Sequence, residues 1–201
     1  MRAKPGGYEG ELHMSDYADQ TVAVLAVQGA FTEHEARLEE LGAHCVELRQ
    51  ASDLARSFDR LVLPGGESTV QGKLLAELGM LEGLRARIED GMPVLGTCAG
   101  LILLARRLAS HDDKGTPRLE TMDVLVERNA YGRQLGSFHA KAPVTGIEGD
   151  VPLIVEAGPD VEVLANVDGR IVAARQERQL GVAFHPELDQ DTRLHELFLR
   201  L

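Results

Sequence analysis

A cysteine in the middle of the sequence and a histidine–glutamate pair near its end have side chains of the types that together cleave an amide or an ester. Cys98 is flanked by glycines in the motif Gly-Thr-Cys-Ala-Gly at 96–100. This layout predicts a sharp turn from a strand into a helix, which exposes the middle side chain. His185 and Glu187 lie two residues apart near the C-terminus. On an extended segment this spacing places both side chains on one face, so the carboxylate can orient the ring while the ring contacts the thiol.

Backbone amides near Cys98 supply a second requirement of this chemistry, donors for a developing oxyanion. The stretch 91–109 predicts a strand, a turn and a helix, and the free amides at the start of that helix favour a negatively charged sulfur or oxygen. The motif Pro-Gly-Gly-Glu-Ser at 64–68 has adjacent glycines whose peptide can turn toward the same point. The Gly66 and Ala99 amides are therefore the predicted oxyanion donors. Taken alone, the Cys98 motif is also typical of a buried, inert cysteine beside a tight turn, and the motif at 64–68 is also typical of an ordinary turn from a strand to a helix.

The composition excludes several other classes of protein. With 201 residues, 44% hydrophobic and 26% charged, the chain has the profile of a globular protein. The net charge of −11 argues against nucleic acid or an anionic membrane as the main partner. No apolar run has membrane-spanning length and no secretory signal pattern opens the chain. Cys45 and Cys98 are the two cysteines and provide no disulfide framework, so we expect a reducing, cytoplasmic location.

We expect neither a bound metal nor a cofactor. The sequence contains no Walker-type phosphate loop and no Gly-x-Gly-x-x-Gly motif. Five further histidines lack a carboxylate or cysteine at metal-ligand spacing, and we predict that they are packed or solvated. They are His34, His44, His111, His139 and His195. Cys45 lies inside a strand pattern and is predicted to belong to the core.

The order of the predicted elements indicates the fold class. Strands alternate with helices in the first half, which predicts an open, mostly parallel α/β sheet flanked by helices. The predicted strands are 21–27, 43–48, 60–63 and 93–96, and the predicted helices are 31–41, from Ser68 or Thr69 through Leu81, and 82–90. Short β-rich segments after residue 120 predict antiparallel additions in the C-terminal half. They are 122–127, 134–140, 151–155, 161–165, 170–175 and 180–184, before a last helix at about 190–201.

Polar residues follow several of these strands. In open parallel sheets, sites lie beyond the carboxyl ends of the strands. Gln28 follows the first strand, where a plain turn is the alternative to a functional role. The loop Arg-Asn-Ala-Tyr-Gly-Arg at 128–133 is either solvated or provides a guanidinium that clamps a substrate carboxylate.

Five motifs, taken in order, closely resemble the glutaminase subunits of pyridoxal 5′-phosphate synthase, a family of class I (triad-type) glutamine amidotransferases. The motifs are Val-Gln-Gly-Ala at 27–30, Pro-Gly-Gly-Glu-Ser-Thr at 64–69, Gly-Thr-Cys-Ala-Gly-Leu at 96–101, Glu-Arg-Asn-Ala-Tyr-Gly-Arg-Gln at 127–134 and Phe-His-Pro-Glu-Leu at 184–188. The resemblance covers 21–201, which is expected to form a single glutaminase domain of flavodoxin-like, three-layer architecture. Residues 1–20 are predicted to be a disordered leader or an extension.

The resemblance implies hydrolysis of L-glutamine to L-glutamate and ammonia. Ammonia would pass through a protein channel to a synthase partner in a hetero-oligomeric complex, which builds pyridoxal 5′-phosphate from a pentose phosphate and a triose phosphate. The implied catalytic residues are Cys98 as nucleophile, His185 as base and acid, and Glu187 as the group that orients His185. The implied glutamine contacts are Gly65, Gly66, Glu67 and Arg128. Gln28 is the candidate for an interface or activation role.

One segment departs from the family pattern. Members carry a Phe-Ile-Arg-Ala-Pro-like stretch, whose Ile and Arg help to bind glutamine, where this chain reads Asp-Val-Pro-Leu-Ile-Val-Glu-Ala-Gly-Pro at 150–159. The missing piece leaves open a weakly active or non-catalytic subunit that only docks onto the synthase. Another triad amidotransferase, serving histidine or aminobenzoate synthesis, and a cysteine hydrolase of similar architecture are the remaining alternatives.

Overall fold

A computed structural model describes residues 17–109, 115–128 and 152–201. Within these ranges ten strands form one sheet. The strands are β1 Thr21–Leu25, β2 His44–Leu48, β3 Arg60–Leu63, β4 Val94–Thr97, β5 Ala105–Leu108, β6 Met122–Glu127, β7 Leu153–Ala157, β8 Glu162–Val167, β9 Arg170–Gln176 and β10 Gln179–Val182. The helices are α1 Phe31–Glu40, α2 Ser68–Glu77, α3 Leu81–Glu89, α4 Ala99–Leu104 and α5 Arg193–Leu199, with 3-10 turns at Ala51–Ala55 and Pro186–Leu188.

The strand order confirms the predicted fold class. Along the sheet it runs β2-β1-β3-β4-β10-β9-β7-β6-β5, with β8 paired to β9. The five strands from β2 to β10 are mutually parallel. Strands β9, β8, β7 and β6 then join through antiparallel pairs, and β5 is parallel to β6. A parallel half and an antiparallel addition therefore share one continuous sheet.

Helices cover both faces of the sheet. In β1, Ala23 and Leu25 point into an apolar cluster that contains residues of α2, α3 and α4. Val22 and Val24 point to the opposite face, into a cluster with residues of α1 and α5. The continuous apolar sequence of β1 follows from this arrangement, because a strand covered on both faces has no side that meets water. The result is the predicted three-layer architecture.

The helix that follows Cys98 is shorter than predicted. It ends at Leu104, and Ala105–Leu108 forms β5 instead of continuing the helix. β6 supplies the competing hydrogen bonds, and the Ala109 amide extends the pairing by donating to Val126 O at 3.0 Å. The conformation of 105–108 is therefore decided by pairing with a strand more than ten residues away. The local pattern of apolar residues contains no information about that pairing.

The start and end of α2 also differ from the prediction. Neither Ser68 nor Thr69 caps this helix: the capping residue is Glu67, whose side chain accepts a hydrogen bond from the Thr69 amide at 3.4 Å. The helix ends at Glu77 rather than at Leu81. Gly79 adopts a φ of 69°, a left-handed conformation that ends the helix and separates it from α3.

The described chain begins four residues before the predicted domain boundary at 21. Tyr17 is buried in the cluster formed with α1 and α5, and its hydroxyl accepts a hydrogen bond from Arg200 Nε at 3.1 Å. Gln20 Nε2 donates to Leu199 O at 3.2 Å. These contacts attach 17–20 to the C-terminal helix. The rest of the predicted leader, 1–16, and the predicted strand at 134–140 lie outside the described residues.

None of the helices in the described ranges has both the length and the apolar character needed to cross a membrane.

Candidate active site

Cys98 occupies a strained turn between β4 and α4. Its φ of 49° and ψ of −100° are unusual for a residue with a side chain. The turn is held tightly, since the Cys98 amide donates to Val182 O at 2.9 Å. A Cβ on Gly100 would lie 2.0 Å from Leu63 O, so this position requires glycine. The local structure therefore matches the turn that the glycines at 96–100 predict.

Adjacent strands bring the histidine segment to Cys98. β4 and β10 are parallel neighbours, and Thr97 at the end of β4 is in register with Val182 at the end of β10. The chain leaves both strands at the same edge of the sheet. Cys98 follows one strand directly, and His185 comes three residues after the other.

The His185 ring contacts both the thiol and the carboxylate. Its Nδ1 lies 2.7 Å from Glu187 Oε1, and the Glu187 side chain is fully buried in the 3-10 turn that begins at Pro186. A hydrogen bond with Cys98 and a second one with Glu187 raise the pKa of His185 to about 10, against the opposing effect of burial. The ring is therefore held in its charged form at neutral pH.

The Gly65–Gly66 peptide is fixed by the turn that follows β1. The Gly65 carbonyl accepts a hydrogen bond from the Ala30 amide at 3.0 Å. In a trans peptide the next N–H points the opposite way, so the Gly66 amide is directed away from Ala30. Gln28 also holds this loop, because its side-chain oxygen accepts a hydrogen bond from the Glu67 amide at 2.8 Å. The loop of 64–67 thus depends directly on the residue predicted for an activation role.

A small cavity opens beside Cys98. Its volume is about 240 Å³ and its lining residues are Gly66, Glu67, Ser68, Cys98, Ile102, Arg128 and Pro152. Arg128 lies at one side of it, where Nη2 donates to Ser68 Oγ and to Thr69 Oγ1, the latter at 2.8 Å, and lies 3.7 Å from Glu67 Oε1. One acidic and one basic side chain, Glu67 and Arg128, therefore line the same cavity as Cys98.

Two histidines that we predicted to be packed or solvated form a chain of contacts behind Glu187. His34, on α1, is fully buried, with Nε2 3.3 Å from Glu187 Oε2 and 3.1 Å from Thr97 Oγ1. Its Nδ1 lies 2.9 Å from Nε2 of His195, on α5, which is also fully buried. Burial above all lowers the pKa of both rings, that of His195 to about 4.

Comparison with known proteins assigns the chain to a family. The model of the SNO glutamine amidotransferase family matches residues 24–201. The chain belongs to this family. It is 52% identical over 187 residues to the pyridoxal 5′-phosphate synthase subunit PdxT of Methanocorpusculum labreanum, covering 90% of this chain and 96% of the relative. It is 53% identical over 186 residues to the PdxT of Desulfitobacterium hafniense strain DCB-2, covering 89% and 91%.

Solved structures agree with this assignment. A structure described as a glutamine amidotransferase superposes with a TM-score of 0.78 at 41% identity, over 89% of this chain and 97% of the other. A structure described as a GMP synthase protein from Thermoplasma acidophilum has a TM-score of 0.57 at 20% identity, over 90% and 92%. The second likeness concerns the fold alone.

The other residues that the sequence analysis of this amidotransferase singled out lie away from the cavity or outside the described residues. Cys45 lies in β2, away from the cavity, and burial raises its pKa to about 12, so it stays a thiol. His111 and His139 lie outside the described residues, as do 129–133 of the loop that begins with Arg128. The sequence did not indicate the contacts of His34 with Glu187 and with His195, because each joins α1 to a segment more than 150 residues away. The prediction for both was a packed or a solvated ring, and the structure shows both rings buried.

Proposed function

We propose that this chain is the glutaminase subunit of a pyridoxal 5′-phosphate synthase and that Cys98, His185 and Glu187 are its catalytic residues. The observation that carries the proposal is the contact of one histidine with both a cysteine at a strained turn and a buried carboxylate. Membership of an amidotransferase family, with PdxT relatives near half identity, specifies the reaction and the pathway, vitamin B6 biosynthesis.

Cleavage of glutamine begins with Cys98. Its sulfur attacks the side-chain amide carbon, the carbon–nitrogen bond breaks, and His185 gives its proton to the nitrogen that leaves as ammonia. A thioester remains on Cys98. Since the hydrogen bond with Cys98 is the main cause of the raised His185 pKa, acylation of the sulfur removes it and lowers that pKa. The ring then accepts a proton from the water that attacks the thioester, and glutamate is released.

Two amides are positioned to stabilise the tetrahedral oxyanion. Ala99 is the first residue of α4, where a helix leaves its amides without intrahelical partners. The Gly66 amide comes from the loop that Ala30 and Gln28 hold in place. We propose these two as the oxyanion donors. A partner that moved the turn at Gln28 would change the orientation of the Gly65–Gly66 peptide, which gives Gln28 its role in activation.

Glutamine itself carries an ammonium and a carboxylate that need recognition. Within the cavity lining, Glu67 has the charge to bind the ammonium and Arg128 the fork-shaped guanidinium to bind the carboxylate. The family's Ile-Arg segment has no counterpart in 152–159, where β7 forms and Pro152 lines the cavity. We therefore assign glutamine binding to Gly65, Gly66, Glu67 and Arg128.

The partner and location follow from the same proposal. A glutaminase subunit needs a synthase subunit that consumes its ammonia, and PdxT relatives are described as subunits of such a synthase. We propose a hetero-oligomeric complex with that subunit. Both cysteines are free, which supports the expected reducing, cytoplasmic location.

The test replaces each cysteine separately. With the synthase subunit present, Cys98→Ala should abolish ammonia release from L-glutamine, whereas Cys45→Ala should leave it close to wild type. Glutamine binding to Cys98→Ala, measured by calorimetry, separates a lost nucleophile from a lost site. Turnover retained by Cys98→Ala would refute the proposed mechanism, and an inactive wild type that still binds the synthase would favour the docking subunit.

A further inference from the structure

Glu187 has a second carboxylate oxygen that the proposed triad does not use. Oε1 bonds to His185, while Oε2 is buried and lies 3.3 Å from Nε2 of His34. This second contact is longer and less well aligned than the first and falls short of a full hydrogen bond. A carboxylate with both oxygens out of water is costly unless each faces a donor. The group that faces Oε2 therefore has to be a donor.

The contacts of His34 decide which of its nitrogens carries the hydrogen. Oε2 only accepts, so Nε2 must donate and Nδ1 is left to accept from Nε2–H of His195, 2.9 Å away. In the opposite tautomer, with the hydrogen on Nδ1 of His34, the lone pair of Nε2 would face the carboxylate of Glu187. His195 Nδ1, which has no partner among the described residues, would then be a buried donor without an acceptor. When each ring donates toward Glu187, the carboxylate faces a donor, and His195 Nδ1 is left as an unpaired acceptor instead of an unpaired donor.

His34 also joins the two segments that carry the reacting groups. Its Nε2 lies 3.1 Å from Oγ1 of Thr97, the residue before Cys98, and 3.3 Å from Glu187, which follows His185. One ring on α1 thus contacts the end of β4 and the 3-10 turn at Pro186–Leu188. Any shift of that turn relative to the nucleophile has to displace this buried ring.

We propose that His34 is a positioning residue, whose Nε2–H holds Glu187 so that the carboxylate stays aligned with His185. The inference rests on the proposed function and adds a residue outside the triad. His34 acts as a neutral donor: the groups that face it are Thr97, Glu187, His185 and His195, and burial first, then the other two rings, lower its pKa well below its usual value. A neutral donor leaves His185 as the charged partner of Glu187.

The experiment compares three variants in the complex with the synthase subunit. His34→Leu removes the donor at similar volume, and His34→Gln places an N–H near the former Nε2. Leu38→Ala removes a buried side chain from the same helix, in the apolar cluster with Phe198, and serves as the control for lost packing. Each kcat is normalised to the amount of Cys98 labelled by a glutamine-like electrophile, so that only folded, competent sites are counted.

We expect His34→Leu to lower kcat by about tenfold or more with a smaller change in KM, because the cost of leaving a buried charged oxygen without a facing donor is of that order. His34→Gln should recover most of the loss, and Leu38→Ala should lower thermal stability while kcat stays within about twofold of wild type.

The inference is overturned if His34→Leu keeps a wild-type kcat, or if His34→Gln and Leu38→Ala are impaired as much as His34→Leu. If His34→Leu does not fold, the deciding comparison is between the kcat of His34→Gln and that of His195→Leu. We expect the lower kcat for His195→Leu, because without His195 nothing fixes which nitrogen of His34 carries the hydrogen. A failure of the proposed function itself would appear separately, as turnover in Cys98→Ala.

Discussion

Gly65 is the position at which a single methyl group should damage the site without disturbing the fold. An added Cβ would lie 2.2 Å from Cε1 and 2.6 Å from Nδ1 of the His185 ring. Gly65 is not among the residues with positive φ, so alanine suits the backbone and the effect is purely steric. The substitution Gly65→Ala therefore tests how tightly His185 is positioned.

The size of the effect follows from these distances. An ordinary contact with a Cβ begins at 3.4 Å, so the ring must retreat by more than ~1 Å. The retreat stretches the 2.7 Å bond to Glu187 and moves the ring relative to Cys98. A misplacement of about 1 Å in a reacting group costs roughly 100-fold in rate. We expect kcat for ammonia release to fall by about that factor, with an overpacking cost of about 1–3 kcal/mol in the free energy of unfolding.

The assay measures glutamate production in the presence of the synthase subunit, with unfolding followed by circular dichroism. Gly83→Ala is the matched control. Gly83 lies within α3, and the nearest atom to its added Cβ is the end of the Leu54 side chain, at 2.9 Å, which can rotate away. We expect normal kcat for this control. A Gly65→Ala protein with wild-type kcat would refute the reasoning, because it would show that His185 tolerates displacement.

Two further predictions concern charge. A hydrogen bond with Cys98 and, second to it, the hydrogen bond with Glu187 raise the pKa of His185 to about 10, and the negative charge of Glu187 adds to the effect. Glu187→Gln keeps an oxygen that can accept from the ring but removes that charge, so NMR titration of the ring should find its proton lost at lower pH than in wild type. An unchanged titration would contradict the assigned role of Glu187. Arg128→Lys keeps the charge but loses the fork-shaped pair of donors, so KM for glutamine should rise about tenfold with a smaller change in kcat. A fall in kcat at constant KM would remove Arg128 from substrate recognition.

The sequence predicted those parts of the site that depend on neighbouring residues. The turn at Cys98 followed from its flanking glycines. The His185–Glu187 contact was predicted from their spacing of two, but the segment forms a 3-10 turn at Pro186–Leu188 and not the extended conformation that we expected. Each needs only a few residues in a stated backbone conformation. The order of strands and helices likewise followed from local periodicity, since burial on one or both faces dictates which positions are apolar.

Predictions were wrong where a distant segment competes with the local preference. The helix after Cys98 was expected to continue to 109, but β6 pairs with Ala105–Leu108 and draws it into the sheet. The expected cap at Ser68 or Thr69 is replaced by Glu67, and both hydroxyls instead accept from Arg128, which lies in another part of the chain. Neither partner can be identified from the residues next to the element concerned.

By itself, the sequence indicated the candidate catalytic side chains, the turn at Cys98 and the class of sheet that carries them. Only the tertiary structure decided that β4 lies beside β10, so that Cys98 and His185 leave the sheet at one edge. The tertiary structure alone also placed His34 behind Glu187 and His195 behind His34. It alone brought Gly65 so close to the His185 ring that a Cβ does not fit between them. The physical reason is that side-chain type and backbone periodicity are properties of neighbouring residues, whereas strand pairing and burial join segments more than eighty residues apart.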